Sequence, residues 1–510
     1  MQNRVQKSAK NVFWGLITYC ITLILTFVNR TVFIQFLKVE YLGCNGLFGN
    51  ILSMLSLAEL GIGAAIVYSL YKPLAEDDIK SVQAYMNTYK NAYWLIAGII
   101  AVVGLCLVPV LPYIVDQDTE IGYGELRIIY TLFLLNTVLS YFFAYKRSLL
   151  SAAQYEYINS LNNTVFAILR NLLQVVLLFL TRSYYVYLGV TIVCTLISNY
   201  VISRKCDQIF PYLKKNNEKL DKPRKKQLYK YVLAQSSHKV GGIVVSGTDN
   251  LLVTTMVTNG LYMVGLYSNY VMVISSIRGV ISIIFSSLTG SIGNLNTEND
   301  IGKRKKVFDD IFFATHILYS FSAICIFCLI QDFITLWLGE SYTLNLAIVL
   351  VVLLNYVIGG FRTPCQIYNT TLGLFWNDRF KPWIEAAINL IASIVLIKFF
   401  GMVGVFLGTL VSTLATSLWI EPYLLYKHGF KMKLIKYFAV YLKYCIQFVF
   451  VGLIAYYISK IIPCESWIMW IVKAILICGI TIGLFAIFNI KSNELKDLWL
   501  RFKQLVRKRR

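Results

Sequence analysis

The chain has 510 residues, 57% of them hydrophobic, with a mean hydropathy of +0.63 and a formal net charge of +22. Such a composition excludes an ordinary soluble globule, because the apolar residues lie in runs near the ~20 residues that span hydrocarbon. The basic residues fall between those runs, which argues against a nucleic-acid partner and for topology signals and contacts with anionic membrane lipid.

In chain order the apolar runs fall near 12–37, 46–70, 91–115, 126–149, 158–181, 184–203, 233–258, 261–290, 310–337, 343–374, 383–400, 402–426, 438–462 and 466–489. Long uniform runs predict helices, not the period-two alternation of a barrel. The expected class is therefore an all-α polytopic membrane protein of about 14 spans. Of 48 Lys and Arg, 36 sit in every second gap: Arg4 to Lys10, Lys72 to Lys90, Lys146 and Arg147, Arg204 to Lys230, Lys303 to Lys306, Arg379 and Lys381, Lys427 to Lys436, and Lys491 to Arg510. By the positive-inside rule these gaps are cytoplasmic, as are both termini, and the number of spans is even. The intervening gaps are short, and one is acidic (Asp116, Asp118, Glu120, Glu125). The first run is too long for a signal peptide and lacks a small-residue cleavage site, so it reads as the first span. The eleven Cys are scattered, and Cys325 and Cys328 without nearby His read as packing residues, not a metal or disulfide framework.

The sequence repeats itself. Gly46-Leu47-Phe48-Gly49-Asn50 recurs as Gly265-Leu266-Tyr267-Ser268-Asn269, an offset of 219 residues, and Glu76-Asp77-Asp78-Ile79-Lys80 resembles Glu298-Asn299-Asp300-Ile301-Gly302-Lys303. Six helices lie between repeats, an even number, so both halves enter the membrane in the same direction. The expected organisation is an N-lobe at 1–205 (helices 1–6), a basic cytoplasmic linker at 206–232, a C-lobe at 233–430 (helices 7–12), helices 13–14 at 431–490, and a basic tail at 491–510 whose apolar spacing suits a surface helix.

Polar residues inside these runs are costly and hence candidates for function. Thr18, Thr22, Thr26, Asn29 and Arg30 form a stripe on the first helix; Ser236, Lys239, Ser246, Asp249 and Asn250 repeat it on the seventh; Ser275, Arg278, Ser282 and Ser286 share a face of the eighth. At the repeat offset Arg30 maps onto Asp249. Asn50 and Asn269 occupy equivalent places, and Arg170, Arg362 and Glu59 complete the set. Arginine at mid-membrane costs about 2.5–3.5 kcal/mol against lipid, so these residues are expected to face protein or a hydrated cavity. The set is cationic: Arg30, Arg170, Lys239, Arg278 and Arg362 against Asp249 and Glu59. Guanidinium groups suit phosphate oxygens, so a phosphate or pyrophosphate headgroup is the sharp reading, and interhelical ion pairing of Arg30 with Asp249 or Glu59 the plain one. Asp249 is also a candidate to bind H+ or Na+ as a coupling ion. Lys443 and Lys473, nearer helix ends, are expected to snorkel. His238 and His316 are expected to be simply hydrogen-bonded.

No Walker A motif, dinucleotide fingerprint, HExxH or Cys/His zinc spacing occurs, and no large external loop is available for catalysis. The reading is a non-enzyme with no cofactor and no metal.

The run Gly247-Thr248-Asp249-Asn250-Leu251-Leu252, the segment Gly260 to Tyr270 and Ser291-Ile292-Gly293-Asn294-Leu295 closely resemble the seventh and eighth helices of Wzx-type bacterial polysaccharide flippases. These form a branch of the multidrug/oligosaccharidyl-lipid/polysaccharide exporter superfamily. Asn29-Arg30, Leu42 to Leu47, Glu59-Leu60-Gly61-Ile62-Gly63 and Asn377 to Pro382 agree with that resemblance. It implies fourteen helices in two pseudo-symmetric six-helix lobes plus a final pair, and a cationic cavity between the lobes. The implied activity is flipping of an undecaprenyl-pyrophosphate-linked oligosaccharide from the inner to the outer leaflet of the bacterial cytoplasmic membrane, by rocking of the lobes, for surface polysaccharide synthesis. It implies a polymerase and glycosyltransferases as partners, and a phosphate role for Arg30. A drug exporter of the same superfamily, which wants an acidic cavity, a membrane polymerase or ligase, which wants a large external loop, and an assembly scaffold are the alternatives.

Overall fold

The computed structural model describes residues 2–59, 62–115, 121–153, 155–213, 218–297, 300–374, 377–492 and 494–496, and their side chains except at 2–18, 57, 58, 64, 68, 75, 156, 227, 230, 231, 233–246, 287, 290, 291, 294 and 297. The acidic external residues Asp116, Asp118 and Glu120, the linker stretch 214–217, Leu60-Gly61, Glu298-Asn299 and the tail 497–510 lie outside these.

Helices account for nearly all of the described chain, as expected where lipid can satisfy no backbone group. They fall into two compact units. One, residues 14–268, holds α1 (Gln2–Phe36) from Trp14 onward, α2 (Val39–Leu55), a 3-10 turn (Ser56–Glu59), α3 (Ile62–Ala75), α4 (Ile79–Leu107), α5 (Leu111–Ile114), α6 (Tyr123–Tyr141), α7 (Tyr145–Ala152), α8 (Glu156–Thr181), α9 (Tyr184–Ile209), α10 (Lys222–Met256) and the first turns of α11 (Gly260–Thr297). The other holds the start of α1, the rest of α11, then α12 (Ile301–Leu338), α13 (Leu346–Phe361), α14 (Thr363–Thr371), α15 (Lys381–Phe400), α16 (Met402–Ala415), α17 (Ser417–Leu424), α18 (Ile435–Ile461) and α19 (Trp467–Asn489).

Eleven described helices are long and apolar enough to cross a membrane, and α6 with α7, bent by 43°, makes a twelfth. The two other expected spans, near 46–70 and 233–258, fall in the interrupted helix α2–α3 and in α10. The interruptions have local causes. Phe143 takes a left-handed φ of 65° at the α6–α7 bend, Pro364 begins α14, and Pro422 lies inside α17.

Both repeat motifs have structural work. Asp78 caps α4 by accepting from the Ser81 N–H at 3.1 Å, and Asp300 caps α12 by accepting from the Lys303 N–H at 2.9 Å. The same Asp-Ile pair thus starts the third and ninth spans by the same hydrogen bond. At the other motif α2 crosses the first turns of α11 at backbone contact. Gly43 lies against the Leu261 carbonyl, and a Cβ on Gly265 would meet the Val39 carbonyl oxygen at 2.5 Å. Small residues permit such crossings between membrane helices. In the second unit, Gly404 and Gly408 do the same for α16 against Leu396 and Ser393 of α15, a GxxxG spacing that the sequence reading passed over.

The second unit is built around α12. Its apolar window is 72% buried, against 28% for α18 and 22% for α19. The last two helices dock on it through polar groups. The His316 Nε2 lies 3.0 Å from the Gln447 Oε1, its Nδ1 lies 3.1 Å from the Ser320 hydroxyl, and its ring stacks on Tyr444 at 4.2 Å. Lys473 does not snorkel: it is buried and donates to Asp332 Oδ2, a carboxylate on α12, at 2.8 Å.

Gly265→Ala should lower the thermal midpoint of the purified protein by overpacking worth about 1–3 kcal/mol. Gly49→Ala, whose Cβ has no atom within 4 Å, should be neutral or slightly stabilising. A scanning-fluorimetry ranking with the two reversed rejects the close crossing.

Candidate functional site

Within residues 14–268 a polar chamber of about 280 Å3 lies among α1, α2, α6, α8 and α9. Thr22, Thr26, Asn29 and Arg30 line it from α1, Asn45 from α2, Arg170, Asn171 and Gln174 from α8, and Tyr187 and Thr191 from α9. Of the threonine stripe expected on the first helix, Thr22 and Thr26 thus line this void, while the Thr18 side chain lies outside the described ones, and Thr26 donates its hydroxyl to the Thr22 carbonyl at 2.8 Å.

A chain of amides runs along the chamber wall. Asn29 Nδ2 donates to Asn171 Oδ1 at 3.0 Å and to Gln174 Oε1 at 2.8 Å. Gln174 Nε2 passes the chain to α9, donating to Thr191 Oγ1 at 2.9 Å and the Tyr187 carbonyl at 3.3 Å. Asn171 Nδ2 donates to the Ala167 carbonyl at 2.8 Å. All three amides are buried. Interhelical hydrogen bonds in membranes contribute about 0.6 kcal/mol each on average, so the set fixes geometry more than it supplies stability. Beside it Tyr184, buried among Phe33, Tyr41 and Tyr187, donates to Asn45 Oδ1 at 2.9 Å.

The two arginines of the chamber are only half-buried. Arg30 Nη1 donates to Ser268 Oγ at 3.0 Å, and that hydroxyl donates onward to the Gly265 carbonyl at 2.7 Å. The ion pair of Arg30 with Asp249 or Glu59 does not form: no described carboxylate lies within ion-pair distance of Arg30 or Arg170, and none lines the chamber.

The remaining candidates lie elsewhere. Glu59 sits in the 3-10 turn and accepts from Tyr93 Oη at 2.7 Å, and Tyr89 donates to Tyr93 at 2.8 Å. Asp249 and Asn250 are half-buried on α10, with the Asn250 amide beside Gly46, and Asn50 is half-buried on α2. The Lys239 side chain, like those of Ser236, His238 and Ser246, falls outside the described side chains. Arg278, in the second unit, is exposed, its guanidinium 5.2 Å from the Tyr356 ring centroid. Asn269 is fully buried with neither amide atom hydrogen-bonded.

Arg362 is placed differently from Arg30. Its Nη2 and Nε grip Glu421 at 2.7 and 3.2 Å, and its Nη1 lies 3.5 Å from Glu385. Lys381 adds a second cation, 2.6 Å from the same Glu421 oxygen. Its guanidinium is therefore engaged by carboxylates, and the plain reading of ion pairing describes it. Glu385 and Glu421, both inside apolar runs, and the amides Asn171 and Gln174 were the residues sequence reasoning passed over. The available signal was polar residues three or four apart within a lipid-length helix.

Glu421→Ala would leave Arg362 and Lys381 buried side by side without their shared anion. A loss of about 3–5 kcal/mol is expected, read as a fall in folded yield and thermal midpoint. A loss under about 1 kcal/mol would show that the network is not an anchor of the second unit.

No protein-family model matches the sequence, and no curated protein matches it. Solved structures do resemble it. The lipid II flippase MurJ in an inward closed conformation aligns over 94% of this chain and 99% of its own, with a TM-score of 0.67 and 15% identity. An inward-facing multidrug resistance MATE family transporter of the MOP superfamily aligns over 80% and 96%, with a TM-score of 0.61 and 12% identity. The Vibrio cholerae MATE transporter VcmN aligns over 84% and 98%, with a TM-score of 0.56 and 13% identity. At these identities the likeness is one of architecture: the chain has the polytopic helical fold that these MOP-type transporters and the lipid II flippase share.

Proposed function

We propose that this protein is a flippase that carries a polyprenyl-pyrophosphate-linked oligosaccharide from the inner to the outer leaflet of a bacterial cytoplasmic membrane, for surface polysaccharide synthesis. The observation that carries this reading is the charge of the chamber: two guanidinium groups face it and, among the described residues, no carboxylate lines it. Left against lipid, the two arginines would cost roughly 5–7 kcal/mol together. A phosphate-bearing headgroup in a hydrated chamber compensates them instead, with the bidentate geometry that guanidinium offers to phosphate oxygens. The neutral Thr, Asn and Tyr lining suits sugar hydroxyls. Similarity of fold to the lipid II flippase supports the same substrate class.

Carriage needs no covalent step. The protein replaces the water lost by the headgroup with fixed donors while the polyprenyl tail stays in acyl chains. An exporter of organic cations would need acid where this chamber presents arginine. Energy coupling to H+ or Na+ belongs to the proposal through Asp249 on α10 and Glu59 in the 3-10 turn after α2, two carboxylates that fall inside apolar runs.

In proteoliposomes holding a fluorescent polyprenyl-pyrophosphoryl sugar, wild type should flip the probe. Arg30→Ala and Arg170→Ala should each slow flipping at least tenfold at unchanged thermal midpoint, and Arg30→Lys should retain part of the rate. Full flipping by both alanine variants would remove the chamber from the transport path.

A further inference from the structure

The chain places Asn29 and Arg30 next to each other on α1, and Arg170 and Asn171 next to each other on α8. The bond from Asn29 Nδ2 to Asn171 Oδ1 therefore ties together the chain neighbours of the two arginines. Gln174, one turn further along α8, receives the second proton of the same Asn29 amide and hands its own two protons to α9. Both donors of Asn29 and both of Gln174 are thus used within the wall. They have no N–H left for a ligand.

The arginines are in the opposite condition. Each guanidinium has five N–H donors. Arg30 uses one on Ser268, and no bond engages Arg170 among the described residues. Among the described residues the chamber therefore holds a surplus of charged donors, a charge of +2 on its lining, and no anion of its own.

Resting on the flippase reading, we propose that the amide chain Asn29–Asn171–Gln174–Thr191 is a positioning device that holds Arg30 and Arg170 as one two-armed clamp, and that the clamp selects headgroups by charge, taking a pyrophosphate diester, a dianion, over a phosphate diester, a monoanion. A dianion neutralises both arms. A monoanion leaves one guanidinium desolvated and uncompensated, which low-dielectric surroundings penalise. Because every member lies in residues 14–268, the clamp is complete within one compact unit. Asn29, Asn171 and Gln174 act through the arginines, so their loss changes the preference between headgroups, not merely the amount of folded protein.

The test uses the purified full chain in lipid nanodiscs and two probes with the same tail and sugar: farnesyl-pyrophosphoryl-N-acetylglucosamine and farnesyl-phosphoryl-N-acetylglucosamine. Wild type should bind the first at least tenfold more tightly. Arg170→Gln, whose side chain faces the chamber, should bring the ratio below about threefold, and Asn171→Leu should do the same. Asn171→Gln, which keeps an amide, should restore part of it. If Asn171→Leu does not fold, the Arg170→Gln ratio decides alone. A wild-type ratio near one with both probes bound overturns the clamp and leaves the flippase reading standing. A tenfold ratio that survives Arg170→Gln also overturns it. Binding of neither probe overturns the clamp together with the reading on which it rests.

Discussion

A hydrocarbon environment offers no partner to an N–H, a carbonyl or a charge, and the architecture of this chain follows from that constraint. Each polar side chain in a span must be met by another, by a backbone carbonyl, or by water in a cavity. The two units meet the demand in contrasting ways. In the second, three buried or half-buried cations are matched: Arg362 and Lys381 converge on Glu421, and Lys473 is held by Asp332. In the first, the amides around the chamber are matched to each other while Arg30 and Arg170 have no carboxylate among the described residues. Carboxylates on neighbouring helices neutralise cations at the one place, and at the other neutral amides surround them.

Glycine and broken helices serve the same end at the level of backbone. Where α2 passes the start of α11, and where α16 passes α15, side chains are absent so that backbones can touch. At two of the interruptions, the 3-10 turn carrying Glu59 and Arg362 between α13 and α14, an ionisable residue sits at the break. Unwound backbone inside a membrane-spanning element survives only when protein or water satisfies it. In both cases a side chain from another helix is present: Tyr93 bonds Glu59, and Glu421 bonds Arg362.

Arg30 and Arg362 looked alike in the sequence, each a single arginine in an apolar run. Their environments differ because their neighbours come from distant stretches of chain. Glu421 lies 59 residues from Arg362 and Asn171 lies 142 from Asn29. No local pattern reports such encounters. Lys473 shows the same limit, since its expected route to the interface is set by its place in the helix while its actual partner is set by α12.

What the sequence determined by itself was whatever depends on local composition: helices of spanning length, their alternation with basic gaps, the stripe of Thr22, Thr26 and Asn29, and the Asp-Ile pairs that start α4 and α12. Period and capping are short-range properties, so they can be read one turn at a time. Tertiary structure alone decided which polar residues share a chamber, which arginines are matched by carboxylates, and that Asn171 and Gln174 belong with Asn29. Those outcomes depend on which helix faces stand opposite each other, and in a membrane, where every span is apolar and of similar length, packing and not pattern makes that choice.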